Sequence, residues 1–333
     1  MTQGADQGEM GLGPRLAAGP FVVLGRAGMD LYADPPGTRM EDARRFEAHL
    51  GGSAGNIAAA LTRQGMQAAL LTRVSDDAVG RFVLAELGRY GIDGRHVGTI
   101  GQGLRTSLAV VETRAEDCQS VIYRNGAADF ALTCDDVAAV DFAGCAALVI
   151  TGTALADAGS RQATMAALAE ARAAGAVCVM DVDYRPYSWA SSTEAQAANL
   201  AAAQACDIVV GNDVEFGLLA GDMAKGLGVA RDLVARSASI AVYKMGEKGA
   251  VTVSKSQEFT TGIYRTQALK PTGAGDAFMG GFLASLARGD ALRAAVLRGS
   301  AAAALVVSRV GCAPACPTIP ELDAFLAARP EPI

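Results

Sequence analysis

Lys270-Pro271-Thr272-Gly273-Ala274-Gly275-Asp276-Ala277-Phe278 runs three small residues straight into an acid and an apolar helical stripe. Phe278, Phe282 and Leu286 recur every four residues, Leu283 widens the stripe and Gly289 supplies a stop. That spacing predicts a helix from about Gly275 to Arg288. Its first turn leaves backbone N–H groups without partners at the positive end of the helix dipole, so Gly273, Ala274 and Gly275 can surround an anion unobstructed. Asp276 would weaken a pure phosphate-binding loop by repulsion. It suits a base that takes a proton from a hydroxyl attacking a phosphate. The plainer alternative is a tight turn with Asp276 capping a core helix.

A second glycine-rich helix start, Leu50-Gly51-Gly52-Ser53-Ala54-Gly55-Asn56, precedes the apolar run Ile57-Ala58-Ala59-Ala60-Leu61. Here the exposed group is the Asn56 amide, which can donate to and accept from sugar hydroxyls, or simply cap the turn. Between and after these elements, apolar strands alternate with helical stretches. Phe21–Gly25, Ala68–Val74, Ala146–Thr151, Val177–Asp181, Ile208–Gly211 and Ile240–Met245 read as buried strands. Residues 78–90, 161–174, 194–205, 291–308 and 321–328 read as helices. This alternation predicts an α/β fold with a parallel sheet covered on both faces. Residues 31–50 and about 105–126 break the pattern and are expected to form a small β lid, with the alternating runs Ser107–Val111 and Ser120–Tyr123 as a small antiparallel sheet within it.

Composition bounds the rest. The 333 residues are half hydrophobic but only 5% aromatic, so helices and sheet must pack closely through small side chains. A formal net charge of −6 gives no general attraction to nucleic acid or anionic membrane, and no uncharged apolar run approaches a membrane span. The seven cysteines are scattered and odd in number, which excludes a complete disulfide framework and fits a reducing cytoplasm. Residues 1–20 are expected to be a mobile tail, leaving one domain over 21–330. A nicotinamide dehydrogenase would need Gly-x-Gly-x-x-Gly after its first strand, and a P-loop NTPase Gly-x-x-x-x-Gly-Lys-Ser/Thr; neither string occurs.

Taken in order, five landmarks resemble the PfkB (ribokinase-like) carbohydrate kinase family across nearly the whole chain. They are the stretch from Val22 to Leu31 ending near Asp30, the Gly51–Asn56 loop, Asn212-Asp213-Val214-Glu215, Lys244-Met245-Gly246-Glu247-Lys248-Gly249, and Gly273-Ala274-Gly275-Asp276. The resemblance implies a three-layer α/β/α sandwich with a mainly parallel sheet and a β lid, ATP and Mg²⁺ as cofactors with K⁺ as a further cation, and a homodimer formed through the lid. It implies substrate contacts from Asp30, Gly51, Gly52 and Asn56, with nucleotide contacts from Asn212, Lys244, Gly246, Gly249, Gly273 and Gly275. Glu215 would serve Mg²⁺ through water, Asp276 would be the base, and residues 311–317 would flank the adenine.

One departure narrows the expectation. Many family members carry an acid where this chain has Lys270, and the Lys270-Pro271 pair is similar to the sugar-acid kinases of inositol catabolism. By that resemblance the expected substrate is 5-dehydro-2-deoxygluconate, with 2-keto-3-deoxygluconate as the alternative. An aldonate carboxylate calls for guanidinium partners, and the resemblance assigns these to Arg124 and Arg185, each of which has a surface ion pair as its plainer reading. A non-catalytic sugar or nucleotide sensor on the same fold is the competing class, and the retained Asp276 argues against it.

Overall fold

Apolar runs too short for helices pair side by side while the amphipathic stretches between them cover both faces. The computed structural model describes residues 11–114 and 116–332. In chain order the strands are β1 (Phe21–Leu24), β2 (Gly28–Asp34), β3 (Arg45–Gly51), β4 (Ala68–Ser75), β5 (Val97–Ile100), β6 (Ser107–Val111) and β7 (Ser120–Tyr123). There follow β8 (Ala147–Thr151), β9 (Val177–Asp181), β10 (Ile208–Asn212), β11 (Ile240–Lys244), β12 (Ala250–Ser254) and β13 (Glu258–Thr261).

Among the described residues, nine strands make the central sheet in the order β13-β12-β11-β10-β9-β8-β1-β4-β5. It is parallel from β5 to β11 and antiparallel at β12 and β13. Strand side chains alternate between the two faces, as the pleat requires. Phe21, Val23, Leu70, Val149 and Val210 join Ile57, Phe278 and Phe282 on one side. Val22, Leu24, Leu148, Ile150 and Met180 join Leu155, Leu168 and Phe216 on the other. Strand order reverses at β1, which has β4 on one side and β8 on the other, and open α/β sheets bind ligands beyond the strand ends at such a point.

The lid is a second sheet, β3-β2-β6-β7. Its outer pairs are antiparallel, as expected for the runs that became β6 and β7, and its central pair, β2 and β6, is parallel. The chain must cross the whole β3–β5 region between β2 and β6, which leaves room for a parallel return. Asp30 lies inside β2 rather than at the end of the first central strand.

The mobile tail expected over residues 1–20 also needs correction, apart from residues 1–10, which lie outside the described residues. Leu12–Leu16 form a short helix whose Leu12 and Leu16 are buried in the cluster holding Phe282 and Leu286. Arg15 anchors it by donating to the Gly175 carbonyl at 3.0 Å. Two leucines four apart beside a polar run are too brief a pattern to read as a docked helix. Because Leu16 is fully buried, Leu16→Ala should cost about 2–5 kcal/mol of stability. Urea unfolding checks this, and an unchanged midpoint would mean the segment is not docked in solution.

Candidate active site

Two helix starts meet at the centre of the site. Helices Ser53–Arg63 and Ala274–Ala287 cross so closely that a Cβ on Gly280 would lie 2.3 Å from the Ala60 Cβ. Their first turns therefore face one another, and the Asn56 Nδ2 donates to the Asp276 Oδ2 at 2.9 Å. Gly273 caps the second helix with φ 82°, and a Cβ there would meet the Cys312 Sγ at 2.7 Å, so glycine is required on both counts. The Lys244 Nζ stands 3.5 Å from the position a Gly275 Cβ would take. Burial, followed by the nearby negative charge of Asp183, raises the Asp276 carboxyl to about 7 against the pull of Asn56, Arg185 and Arg26. A carboxylate tuned close to neutrality is suited to accept a proton from a hydroxyl.

Residues of the lid and of the ends of β8 and β9 adjoin these helix starts. Burial also raises the Asp30 carboxyl, against opposing fields from Arg26 and Lys270 and a Tyr32 hydroxyl hydrogen bond. A Cβ on Gly51 would sit 1.9 Å from the Asp30 Oδ1, so that glycine makes space for the carboxylate, and one on Gly52 would sit 2.4 Å from the Arg26 carbonyl.

Arg124 and Arg185, distant in sequence, are joined through two intermediates. Buried Arg124 pairs with Asp129, stacks at 4.1 Å over Phe130 and donates to the Thr153 carbonyl at 3.0 Å. The Thr153 hydroxyl donates to the Asp183 Oδ2 at 3.2 Å, and the Asp183 Oδ1 pairs with the Arg185 Nη2 at 2.7 Å. Among the described residues, the buried Arg124 Nε and Nη1 find no hydrogen-bond partner. The Arg124–Asp129 pair is buried, whereas Arg185 reaches a buried Asp183 from a partly exposed position.

On the opposite side, Asn212 and Glu215 start the helix Asp213–Ala220 as a capping box. The Asn212 Oδ1 accepts from the Glu215 N–H at 2.9 Å, and the Glu215 Oε2 accepts from the Asn212 N–H at 2.7 Å. Burial raises both the Glu215 and Asp181 carboxyls, and the Lys244 cation is the main opposing influence on each. Lys244 ends β11, its ammonium 5.5 Å from the Phe278 ring centre. Gly246 and Gly249 shape the turn into β12, and a Cβ on Gly249 would collide with the Thr261 carbonyl at 1.9 Å. Among the described residues, no group of three or more His, Cys, Asp or Glu side chains gathers as a metal centre.

Sequence reasoning assigned no role to two charged residues that belong to this cluster. Asp183 adopts φ 36°, a left-handed conformation unusual outside glycine, and connects Thr153 with Arg185. The run Asp181-Val182-Asp183-Tyr184-Arg185 contains it, but two acids in alternation do not reveal which one enters the site. Arg26 is buried beside the Ser107 hydroxyl at 3.4 Å, and its field reaches both Asp30 and Asp276. Its signal was an arginine directly after an apolar strand.

Residues 20–319 match the model of the pfkB family carbohydrate kinases, and the chain belongs to that family. It is 39% identical over 313 residues to a 5-dehydro-2-deoxygluconokinase from Photobacterium profundum, covering 92% of this chain and 95% of that protein. Among solved structures, a double mutant of fructokinase from Vibrio cholerae O395 with fructose, ADP and potassium bound superposes with a TM-score of 0.80 at 26% identity, over 93% of this chain and 99% of the other. An E. coli protein described as a ribokinase II in complex with ATP and Mg²⁺ shares the fold with a TM-score of 0.82 at 21% identity, over 94% and 100% of the two chains. The expected three-layer fold with its lid, and the carbohydrate kinase class, are borne out.

If Asp276 is the base, Asp276→Asn should lower kcat by roughly 10²- to 10⁴-fold with little change in nucleotide affinity or folding. A variant as active as the parent would remove the assignment. Only the unprotonated carboxylate can accept the proton, so kcat/KM should rise with pH through about 7 and level off above it. A profile that stays flat across that value would contradict the role.

Proposed function

We propose that this kinase transfers the γ-phosphate of ATP to a primary hydroxyl of a keto-deoxy sugar acid, with 5-dehydro-2-deoxygluconate as substrate and the cytoplasm as its location. The class of relative supports the substrate, since the Photobacterium protein carries that activity in its name. The observation that carries the sugar-acid reading is the linkage Arg124–Thr153–Asp183–Arg185, in which two guanidinium groups are joined through one threonine and one carboxylate and the Asp183 and Arg185 charges both act on Asp276. A neutral sugar has no charge for such groups to meet, whereas a planar carboxylate does.

In this reading Asp30 and Asn56 orient the substrate hydroxyls, and Gly51 and Gly52 let the sugar approach the backbone. Asp276 accepts the proton of the attacking hydroxyl as its oxygen forms a bond to the γ-phosphorus. The bond from that phosphorus to the bridging oxygen breaks, and ADP leaves with the electron pair. The amides of Gly273, Ala274 and Gly275 meet the negative charge on the transferring phosphoryl group. Lys244 lies beside Gly275, and in this reading Asn212, Gly246 and Gly249 would serve the nucleotide. Mg²⁺, when bound, neutralises charge between the phosphates. Glu215 suits it as a water-mediated partner because Mg²⁺ keeps much of its hydration and takes few protein ligands.

The outer lid face supports a second copy of the chain as partner. Strand register puts Leu31, Phe46, Val110, Val121 and Tyr123 on one face, opposite Asp30 and Tyr32, and Phe46, Val121 and Tyr123 are exposed. Light scattering should give a dimer that Val121→Lys with Tyr123→Lys converts to monomer; a monomeric parent would refute it.

Arg185→Met gives the cleaner test of substrate class, because Arg124→Met would strand Asp129 in the interior. KM for the sugar acid should rise about tenfold or more while ATP affinity holds. Steady-state kinetics on the aldonate and on a neutral sugar of equal length decides it. Equal losses on both would leave the arginine a supporting role only. Excess chelator should also abolish turnover, and turnover that survives it would contradict the use of Mg²⁺.

A further inference from the structure

Lys270 is fully buried, yet among the described residues it forms no ion pair. Its Nζ donates instead to the Thr272 carbonyl at 2.6 Å and the Val306 carbonyl at 3.4 Å, and its third contact is the Cys312 Sγ at 4.0 Å. An ammonium has three protons to give, and three acceptors surround it. Neutral carbonyl oxygens compensate the charge only in part, so a positive field remains inside the protein.

That field is placed against the anion loop. The Thr272 carbonyl belongs to the residue before Gly273, and the position of a Gly273 Cβ lies 2.7 Å from the Cys312 Sγ and 3.2 Å from the Val306 Cγ1, the same residues that hold the ammonium. The Lys270 backbone N–H is tied to the Val307 carbonyl at 3.2 Å, which fixes the stem. On its other side the Cys312 Sγ meets the Tyr32 hydroxyl at 3.0 Å, and that hydroxyl donates to the Asp30 Oδ2 at 3.4 Å. The ammonium thus stands between the loop that would cradle phosphate and the acid that would hold the sugar.

Backbone carbonyls converging on a desolvated monovalent cation are the coordination chemistry that proteins use for alkali ions. We propose that Lys270 is a built-in monovalent cation: its ammonium supplies the positive charge beneath the Gly273–Gly275 loop, and the enzyme binds nucleotide and turns over without potassium. Lys270 is a positioning residue, since it acts through the Thr272 carbonyl and the loop rather than by touching the reacting atoms. This inference rests on the kinase reading of the loop.

The test compares potassium chloride with choline chloride at matched ionic strength, with ADP affinity by calorimetry and kcat as separate readouts. Wild type should give the same ADP affinity and kcat in both salts. Lys270→Met should lose about tenfold or more in kcat and in ADP affinity, with KM for the sugar acid little changed, because the charge acts on the phosphate side. Lys270→Asp, which puts a carboxylate beside the same carbonyls, should respond to potassium and not to choline. Wild-type affinity or turnover that climbs severalfold in potassium would overturn the proposal. So would a Lys270→Met protein that is folded by circular dichroism and retains wild-type affinity and kcat. Should neither variant fold, the wild-type salt comparison decides alone. If the sugar acid proves to be the wrong substrate, turnover fails in every salt while the ADP isotherms still report on Lys270.

Discussion

The contact of Gly280 on Ala60 governs how the site comes together. Two helices can place their N-termini within one hydrogen bond of each other only if their axes approach closely, and any side chain at Gly280 would force them apart. The same helix packs on its other side against Leu292–Val307, where a Cβ on Gly281 would come within 3.1 Å of Ala302 and one on Gly299 within 2.9 Å of Phe278. Every residue of Ala277–Ala287 is buried as a result. The abundance of alanine and glycine, which in composition alone suggested close packing, is therefore also what sets Asp276 against a closely packed interior, where desolvation lifts its carboxyl to about 7.

A buried base would be inert if its surroundings neutralised it. Arg185 is drawn to Asp183, Lys244 stands between Asp181, Glu215 and the Gly275 amide, and Arg26 divides its field between Asp30 and Asp276. No cation is committed to Asp276 by a direct ion pair among the described residues; its close partner is the neutral amide of Asn56. Desolvation consequently outweighs attraction there, while the neighbouring acids hold the nearby cations.

Much of the architecture was legible because it depends on local periodicity. The buried runs at 21–25, 68–74, 146–151, 177–181, 208–211 and 240–245 became β1, β4, β8, β9, β10 and β11 with boundaries moved by a residue or so. The edge strands β5 and β13 escaped because half-exposed strands carry a weak alternation, β12 because it is only five buried residues long, and the helices Asp213–Ala220 and Gly226–Arg236 because only a short glycine-bounded turn separates them. Among the charged residues, Asp276 could be read from its place behind three small residues. Asp183 and Arg26 could not, since their roles depend on neighbours contributed by β8, the lid and the Ala274–Ala287 helix.

What the sequence by itself determined is the set of local structures: glycines where two helices begin, apolar runs of strand length, an acid in the first helical turn, and hence the family. Those properties are carried by neighbours along the chain, so they survive without knowledge of the fold. Tertiary structure alone decided that Asn56 reaches Asp276, that Arg124 and Arg185 meet through Thr153 and Asp183, and that Lys270 is enclosed by carbonyl oxygens rather than exposed. Hydrogen bonding and burial act through space between residues as many as 280 positions apart, and no spacing in the sequence records which of them will touch.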